Sequence, residues 1–524
     1  LPEVSVPAHA HQEISLEEWV SSLGPSFSSG SLRLEYDSLS FGLGAQVMLL
    51  NEAQSLSIDV PLRARSELFS TRLEGIWWIP TGDPEIRLAI ANVSDSLVQT
   101  ELTFSADDGA TLKHLQVPLP PHHSRVLALR ELIAREPNSF GGISITHDGR
   151  AGAIMAHGYV LRRTTGYSAA IPFTGPASSG SSSLHGAGVI LGLSSGVGGA
   201  PGNFTGRLLV RNISTLSVNA TPRLKQSGVE WNLGHLFLSP GEAREIQVPS
   251  SLVSSSDGAI GIEVTGDGQP GSLFGYWESV DQTGSLIVET PLRSPSPALP
   301  SSGSNPFSLA GETQSTLFIK NTGTTPASFI GVIYHALGNS TVGLRIVAAG
   351  ETVEVDIRQL RDQQILDVNG NALPSDLQGG QFQWLRRSGP LLLGRVVVMN
   401  QRTLMASNMS CAWCYCSPRD VYLELDPDYS SAVVGDFVQE TAWETSVDCD
   451  NTTHTYPLSP IEGNADWSST DPFVASVNNA GGVFCNGPGT ATIIAGKWVF
   501  VQTQITTECE QECPPENRSQ EDEI

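Results

Sequence analysis

The chain has 524 residues, 40% of them apolar and 16% charged, with a formal net charge of −25. That length is enough for about three to five domains with ordinary cores, and the apolar content excludes a disordered chain. The acidic balance excludes nucleic acid and anionic membranes as partners, because both need a basic face. No run of about twenty apolar residues is present, so no membrane insertion is expected. No charged stretch followed by an apolar one opens the chain as a signal would.

In chain order, residues 1–63 alternate as strands do, apart from one predicted helix over 16–23 that Ser15 caps and Glu18 boxes. Residues 65–175 then carry a unit that returns twice. It opens on a strand at 86–92 that ends at an Asn turn. A turn at 119–124 follows, then a helix-like stretch at 127–134, a Gly-led strand at 141–145, and Ile171-Pro172-Phe173. The same order recurs at 207–212, 238–242, 258–262 and Thr290-Pro291-Leu292, and again at 316–321, 347–351 and 379–383. Copies about a hundred residues apart are domain-sized, so each should own a core, like beads on a string. Short alternating runs such as 153–161, broken by Gly, Pro, Asn and Ser, predict an all-β chain of tandem antiparallel β-sandwich domains.

Residues 1–63 match only the second half of the unit, with a turn at 6–11, a Gly-led strand at 30–34 and Val60-Pro61-Leu62 at the end. A half β-sandwich leaves an edge and an apolar face uncovered, which favours pairing with another chain. Two joints are predicted, a flexible one rich in Ser and Gly at 174–188 and a stiffer one rich in Ser and Pro at 293–304. The expected domains are therefore the half sandwich 1–63, sandwiches at 64–180, 181–300 and 301–417, a different domain at 418–505, and an acidic Cys-containing tail at 506–524.

After Pro418 the pattern changes to Trp467-Ser468-Ser469, Val474-Ala475-Ser476-Val477, Gly481-Gly482-Val483 and a Gly489-Thr490-Ala491-Thr492-Ile493 strand. This stretch resembles the bacterial immunoglobulin-like group 2 domain, which implies a small sandwich common in surface proteins and adhesins. The chain departs from that pattern at Cys449 and Cys485, which suggests an added bridge between them. The preceding part resembles secreted bacterial proteins built from repeated sandwiches, a likeness that implies no activity.

All seven cysteines, Cys411, Cys414, Cys416, Cys449, Cys485, Cys509 and Cys513, fall in the last quarter. They resemble a local disulfide framework, which points to an extracellular or cell-surface location. The first three would share partners with Cys509 and Cys513, and the odd thiol is free or joins chains. Eight sequons, at Asn92, Asn203, Asn212, Asn219, Asn339, Asn408, Asn451 and Asn517, are candidate glycosylation sites.

Candidate chemistry is sparse. The Cys411-Ala412-Trp413-Cys414 spacing lacks both the matched second pair a zinc site needs and the helix N-terminus a redox thiol needs. Gly192-Leu193-Ser194-Ser195-Gly196 matches a hydrolase elbow, but residues 197–202 cannot start the helix that must follow. Asp367, Asn369 and Asn371 have calcium-loop spacing, with Asp376 close behind, yet Ala372 and Gln378 stand where an EF-hand needs Gly and Glu. His9, His11, His122 and His123 fall in equivalent turns, where the other copies have Gly-Glu, and read as turn residues. Trp77 and Trp78 offer core packing or a sugar-stacking platform. No catalytic residue, metal or cofactor is expected. The leading expectation is a secreted structural protein that assembles head to tail with copies of itself, strands of a neighbour completing residues 1–63. The alternative is a monomeric adhesin or a stalk with a glycan ligand.

Overall fold

Every second side chain from Ile86 to Asn92 is buried, as a strand that covers a core with one face requires. In the computed structural model this strand lies in the first of three sandwiches. The described residues are 4–6, 12–17, 20, 30–35, 45–51, 56–62, 70–175, 182–189, 204–248, 259–281, 284–295, 302–400, 402–403, 405–409, 420–426, 429–447, 453–457, 466–478, 480–497 and 501–510. Residues 1–415 form one compact unit and residues 416–524 another.

The first unit opens on a hairpin, β1 (Gln46–Asn51) and β2 (Leu56–Pro61). Eight strands follow: β3 (Arg72–Trp78), β4 (Glu85–Asn92), β5 (Val98–Ala106), β6 (Thr111–Leu119), β7 (Ser124–Ala128), β8 (Phe140–His147), β9 (Ile154–Arg162) and β10 (Tyr167–Ile171). They make two antiparallel sheets, β3-β8-β5-β6 and β10-β9-β4-β7, with a short helix α1 (Leu129–Ile133) after β7. The helix is shorter than the 127–134 expected, because β7 runs through Ala128 and Ala134 ends the turn in the left-handed region at φ 46°. The helix expected over 16–23 lies largely outside the described residues, where Val20 N–H still bonds Leu16 O at 2.9 Å.

The second sandwich repeats the plan with β11 (Leu184–Val189), β12 (Phe204–Asn212), β13 (Val218–Gln226), β14 (Val229–Asn232), β15 (Leu236–Leu238), β16 (Ala243–Val248), β17 (Ala259–Gly266), β18 (Leu273–Asp281) and β19 (Ile287–Pro291). Its sheets are β11-β17-β13-β14, with β15 also on β13, and β19-β18-β12-β16. The third has β20 (Ser302–Ser308), β21 (Thr313–Asn321), β22 (Ala327–His335), β23 (Gly338–Val347), β24 (Thr352–Asp356), β25 (Gly379–Ser388), β26 (Leu392–Asn400) and β27 (Met405–Met409), in sheets β20-β25-β22-β23 and β27-β26-β21-β24. A helix α2 (Ile357–Asp362) stands where α1 does, capped by the Asp356 carboxylate on Gln359 N–H. The chain is thus all-β and built of tandem antiparallel sandwiches.

One alignment read from sequence shifts. Asp148 accepts the Gln99 N–H and Asp267 accepts the Asn219 N–H, both at 2.8 Å, which fixes Asp148 and Asp267 as equivalents. Gly142 therefore matches Gly261, and the Gly-led strand of the second copy slides by two residues from its expected register. The side-chain period of two hides such a slip, since every residue keeps its face.

The beads are fused. Strands β3, β18 and β21 are buried almost continuously, without the alternation of a sheet facing water on one side. Their second faces pack on the next sandwich. Leu209, Ile213, Phe274, Tyr276 and Ile287 join the core of the first sandwich, and Phe318, Val397 and Met399 of the third pack on Ala187, Phe204 and Val288 of the second. The second and third sandwiches each keep a core of their own residues, as expected, and the joints add apolar clusters between neighbours. Much of each predicted joint, at 176–181 and 296–301, lies outside the described residues.

The second unit holds β28 (Asp420–Asp426), β29 (Tyr429–Val433), β30 (Phe437–Gln439), β31 (Thr441–Val447), β32 (Thr453–Pro457), β33 (Asp466–Ser469), β34 (Ala475–Val477), β35 (Gly482–Cys485), β36 (Gly489–Lys497) and β37 (Val501–Glu510). They form sheets β28-β31-β32, β29-β37-β36-β33 and β30-β35-β34, with β29 and β37 parallel. The motif residues lie on β33, β34, β35 and β36, around a core that includes Leu425, Ala475, Val483 and Ile493. Among the described residues, no helix is long and apolar enough to cross a membrane.

Candidate functional site

The hairpin β1–β2 repeats the β9–β10 hairpin of the first sandwich. Met48 faces Asp59 across it as Tyr159 faces Ala170, and a proline follows two residues later in both. Its apolar face is filled by its own chain. Leu56 and Ile58 are buried against Leu161, with Val60 and Tyr159 beside them. The face of β2 is therefore covered in cis, while the rest of the half repeat lies largely outside the described residues. The last strand of the half repeat has a seat in cis.

That seat lies between the first and third sandwiches. Ser57 N–H donates to Ser168 Oγ at 3.0 Å on β10, and Ser57 Oγ donates to Ala406 O at 2.8 Å on β27. The Asp59 carboxylate accepts from Ser407 Oγ and from Asn408 N–H, both at 2.6 Å. Strand β19 in turn lies against both β10 and β27, so the final strands of the half repeat and of all three sandwiches close a cycle, β2, β10, β19, β27 and back. Burial pushes the Asp59 carboxyl up to about 6, its two hydrogen bonds only partly opposing it.

The joints between sandwiches are polar as well as apolar. Arg211 on β12 crosses to the first sandwich, pairing with Glu74 at 2.7 Å and donating to Gly75 O, Ile143 O and Ser144 Oγ. It lies over Gly142, where a Cβ would sit 2.1 Å from Nε, so only glycine leaves it room. Lys320 on β21 occupies the equivalent place over Gly261. Burial lowers Lys320 to about 8, and burial with the Lys320 charge lowers His185, the counterpart of Glu74, to about 3. Beside Arg211, Trp78 Nε1–H donates to Tyr167 Oη at 2.8 Å, which donates to Glu278 at 2.5 Å, while Arg207 stacks over Trp78 and pairs with Glu278.

Trp77 and Trp78 are each 1% exposed, so neither offers a face to a sugar. The His122 residue adopts φ 58°, where the other copies place Gly241 and Gly350 at φ 78° and 70°. His123 Nδ1 contacts Pro121 O at 2.8 Å and His122 Nε2 contacts Asp95 at 2.9 Å, as turn residues do. The Asp367 carboxylate turns back on its own loop, accepting from Asn371 N–H and Asn369 N–H at 2.8 Å, which holds it below the usual carboxylate range. His9, His11, Ser194, Asn203, Asn451 and Asn517 lie outside the described residues, as do the side chains of every cysteine but one. That one, Cys485, is buried.

Two sequon residues are structural. Asn92 Nδ2–H donates to Ser96 O, Leu119 O and Pro120 O at 2.7–3.0 Å while its Oδ1 accepts from Ser94 N–H. Asn212 repeats the clamp on Leu216 O, Leu238 O and Ser239 O, and Asn321, outside any sequon, repeats it on Thr325 O, Val347 O and Ala348 O. An N-linked sugar at Asn92 or Asn212 would remove a buried donor. Asn408 has its Oδ1 engaged by Arg395, and Asn219 donates to Asp267, whereas Asn339 is exposed at the start of β23. In a glycosylating host, peptide mass spectrometry should find Asn92 and Asn212 bare in folded protein and the highest occupancy at Asn339. Sugar on Asn212 of the folded protein would refute the clamp.

No family model and no curated protein matches the chain. Among solved structures it is similar to the surface layer protein SbsC, domains 1–6, at 10% identity and a TM-score of 0.15. The match covers 83% of this chain and 55% of that one, so the chain spans about half its length. That likeness is too loose to carry a fold or a function.

Proposed function

We propose that this is a structural protein of an extracellular assembly, and that copies associate through β1. One observation supports it. In the sandwiches β9, β18 and β26 are hydrogen-bonded on both sides, by β10 and β4, β19 and β12, and β27 and β21, whereas their counterpart β1 is bonded only to β2 among the described residues. Strand β1, Gln46-Val47-Met48-Leu49-Leu50-Asn51, has no charge, and Met48, Leu49 and Leu50 are 37%, 51% and 51% exposed. An uncharged apolar edge is a template for another strand.

The occupant is the same strand of a second copy, paired antiparallel about a two-fold axis. Strands of the class missing beside β1, namely β4, β12 and β21, are consumed inside their own sandwiches. Self-pairing of an uncharged segment brings no like charges together, which matters in a chain of net charge −25. The extracellular setting is supported by the clustering of the cysteines, with Cys449 the partner we favour for Cys485.

Light scattering after size exclusion, run across concentration, tests this. The mass should rise from one chain towards two, and Leu49→Lys, at an exposed position, should hold it at one. A single-chain mass at every concentration, or full association of the lysine variant, would overturn the edge as the interface.

A further inference from the structure

Resting on the reading of the hairpin as the assembly element, we propose that its seating between β10 and β27 is proton-coupled, so that acid fastens β2 into the cycle and alkali loosens it. Two of the four junctions in that cycle are made by a buried carboxylate reaching a neighbouring strand. Asp59 of β2 and Glu289 of β19 hold the same place in the repeat, each two residues before a proline. Asp59 reaches across to the Asn408 N–H of β27, and Glu289 reaches across to the Ala170 N–H of β10 at 2.8 Å. The two junctions are equivalent.

Among the described residues, the hydrogen bonds on these carboxylates come from neutral donors, and of the two only Glu289 feels the charge of Arg395. From β27, Asp59 meets Ser407 and Asn408; from β1, Gln46 donates to Ser407 Oγ at 3.4 Å; from β10, Ser168 accepts the neighbouring Ser57 N–H, and from β9 Tyr159 packs on the hairpin. From β19 comes the like charge of Glu289, which has Tyr276 and Glu278 of β18 beside it. Arg395 of β26 directs Nη1 at Asn408 Oδ1 and Glu289 O, so its hydrogen bonds go to neutral oxygens and not to either carboxylate. Burial therefore dominates, raising Asp59 to about 6 and Glu289 to about 8, with the Asp59 charge a minor further cause for Glu289.

The sign follows from which state holds the proton. With the hairpin released, Asp59 returns to its ordinary 3.8; seated, it titrates near 6. The seated form binds more protons between those values, so seating is strongest below about 4 and weakens as pH rises through about 6. A shift of this size changes the seating equilibrium by up to roughly a hundredfold, of which about tenfold falls between pH 5 and pH 8.

Hydrogen exchange of the Ser57 and Asn408 amides tests this, corrected for intrinsic rates and compared with Val210 in β12. The Leu49→Lys background keeps the chain single, so loss of edge pairing cannot affect the result. Protection should fall about tenfold from pH 5 to pH 8. Asp59→Asn, which keeps an acceptor for Asn408 N–H and a group for Ser407 without the charge, should stay protected with a flat profile. A flat profile in the parent, the parent's slope in the variant, or a variant hairpin unprotected at every pH would each overturn the proposal.

Discussion

Replacing Asn321 with alanine should destabilise the third sandwich by about 3–4 kcal/mol, because one buried amide serves four backbone groups. Its Nδ2 donates to Thr325 O, Val347 O and Ala348 O at 2.8–3.1 Å, and its Oδ1 accepts Gly323 N–H at 2.9 Å. Asn321 is wholly buried, so removing the side chain strands these partners without water. Asn321→Asp should cost at least as much, since it restores the acceptor but turns a charge towards three carbonyl oxygens. Hydrogen exchange at Phe382 and Val396, both in the core of that sandwich, reads the local loss. A change below about 1 kcal/mol would mean that solvent reaches the turn and replaces the amide.

The second large effect is at the joint between the first and second sandwiches. Arg211→Ala should cost about 3 kcal/mol, because it leaves Glu74, fully buried, without its buried partner. The loss is held to that size by Arg72 and the Ser144 hydroxyl, which also bind the Glu74 carboxylate. Combining Arg211→Met with Glu74→Gln should recover most of it, since neither position then leaves a buried charge without its partner. Amides of β3 and β12 should lose protection together in the single variant, while Val396 in the third sandwich stays unchanged. Loss confined to β12 would show that Arg211 stabilises only its own sandwich.

Much of the fold was legible because the three copies share local chemistry. The Asn turn and the left-handed position held by His122, Gly241 or Gly350 each have a backbone reason that survives in sequence. The fusion of the sandwiches was not legible. Arg211 and Glu74 sit in strands where an outward charge ordinarily faces water, and nothing local tells a strand that its outer face meets another domain. A signal did exist in Arg211-Asn212 and Lys320-Asn321 against Ala91-Asn92, a cation before the Asn only where a sandwich precedes with a glycine to receive it. The half repeat was recognised, but its covering was assigned to a neighbour, because Ser407 and Asn408 bind it from some 350 positions away. The sugar platform at Trp77 and Trp78 failed for the same reason as the beads, since both rings face what proved to be a shared interior.

The cycle of final strands also sets an order of events. Asp59 and Asn408 are 349 residues apart, so if synthesis and export run from the N-terminus, β2 emerges long before β27, the strand that completes its seat. Until then Ser57 and Asp59 are without their partners on β27. The closing contact is the slowest kind to find, because its loop is nearly as long as the unit it closes. A chain stalled before residue 405 would carry a sticky leader, and the same edge that joins finished copies would then join unfinished ones. The gain in stability from closing the cycle is therefore bound to a period of risk during production, when a chaperone for the N-terminal hairpin would have the most to protect.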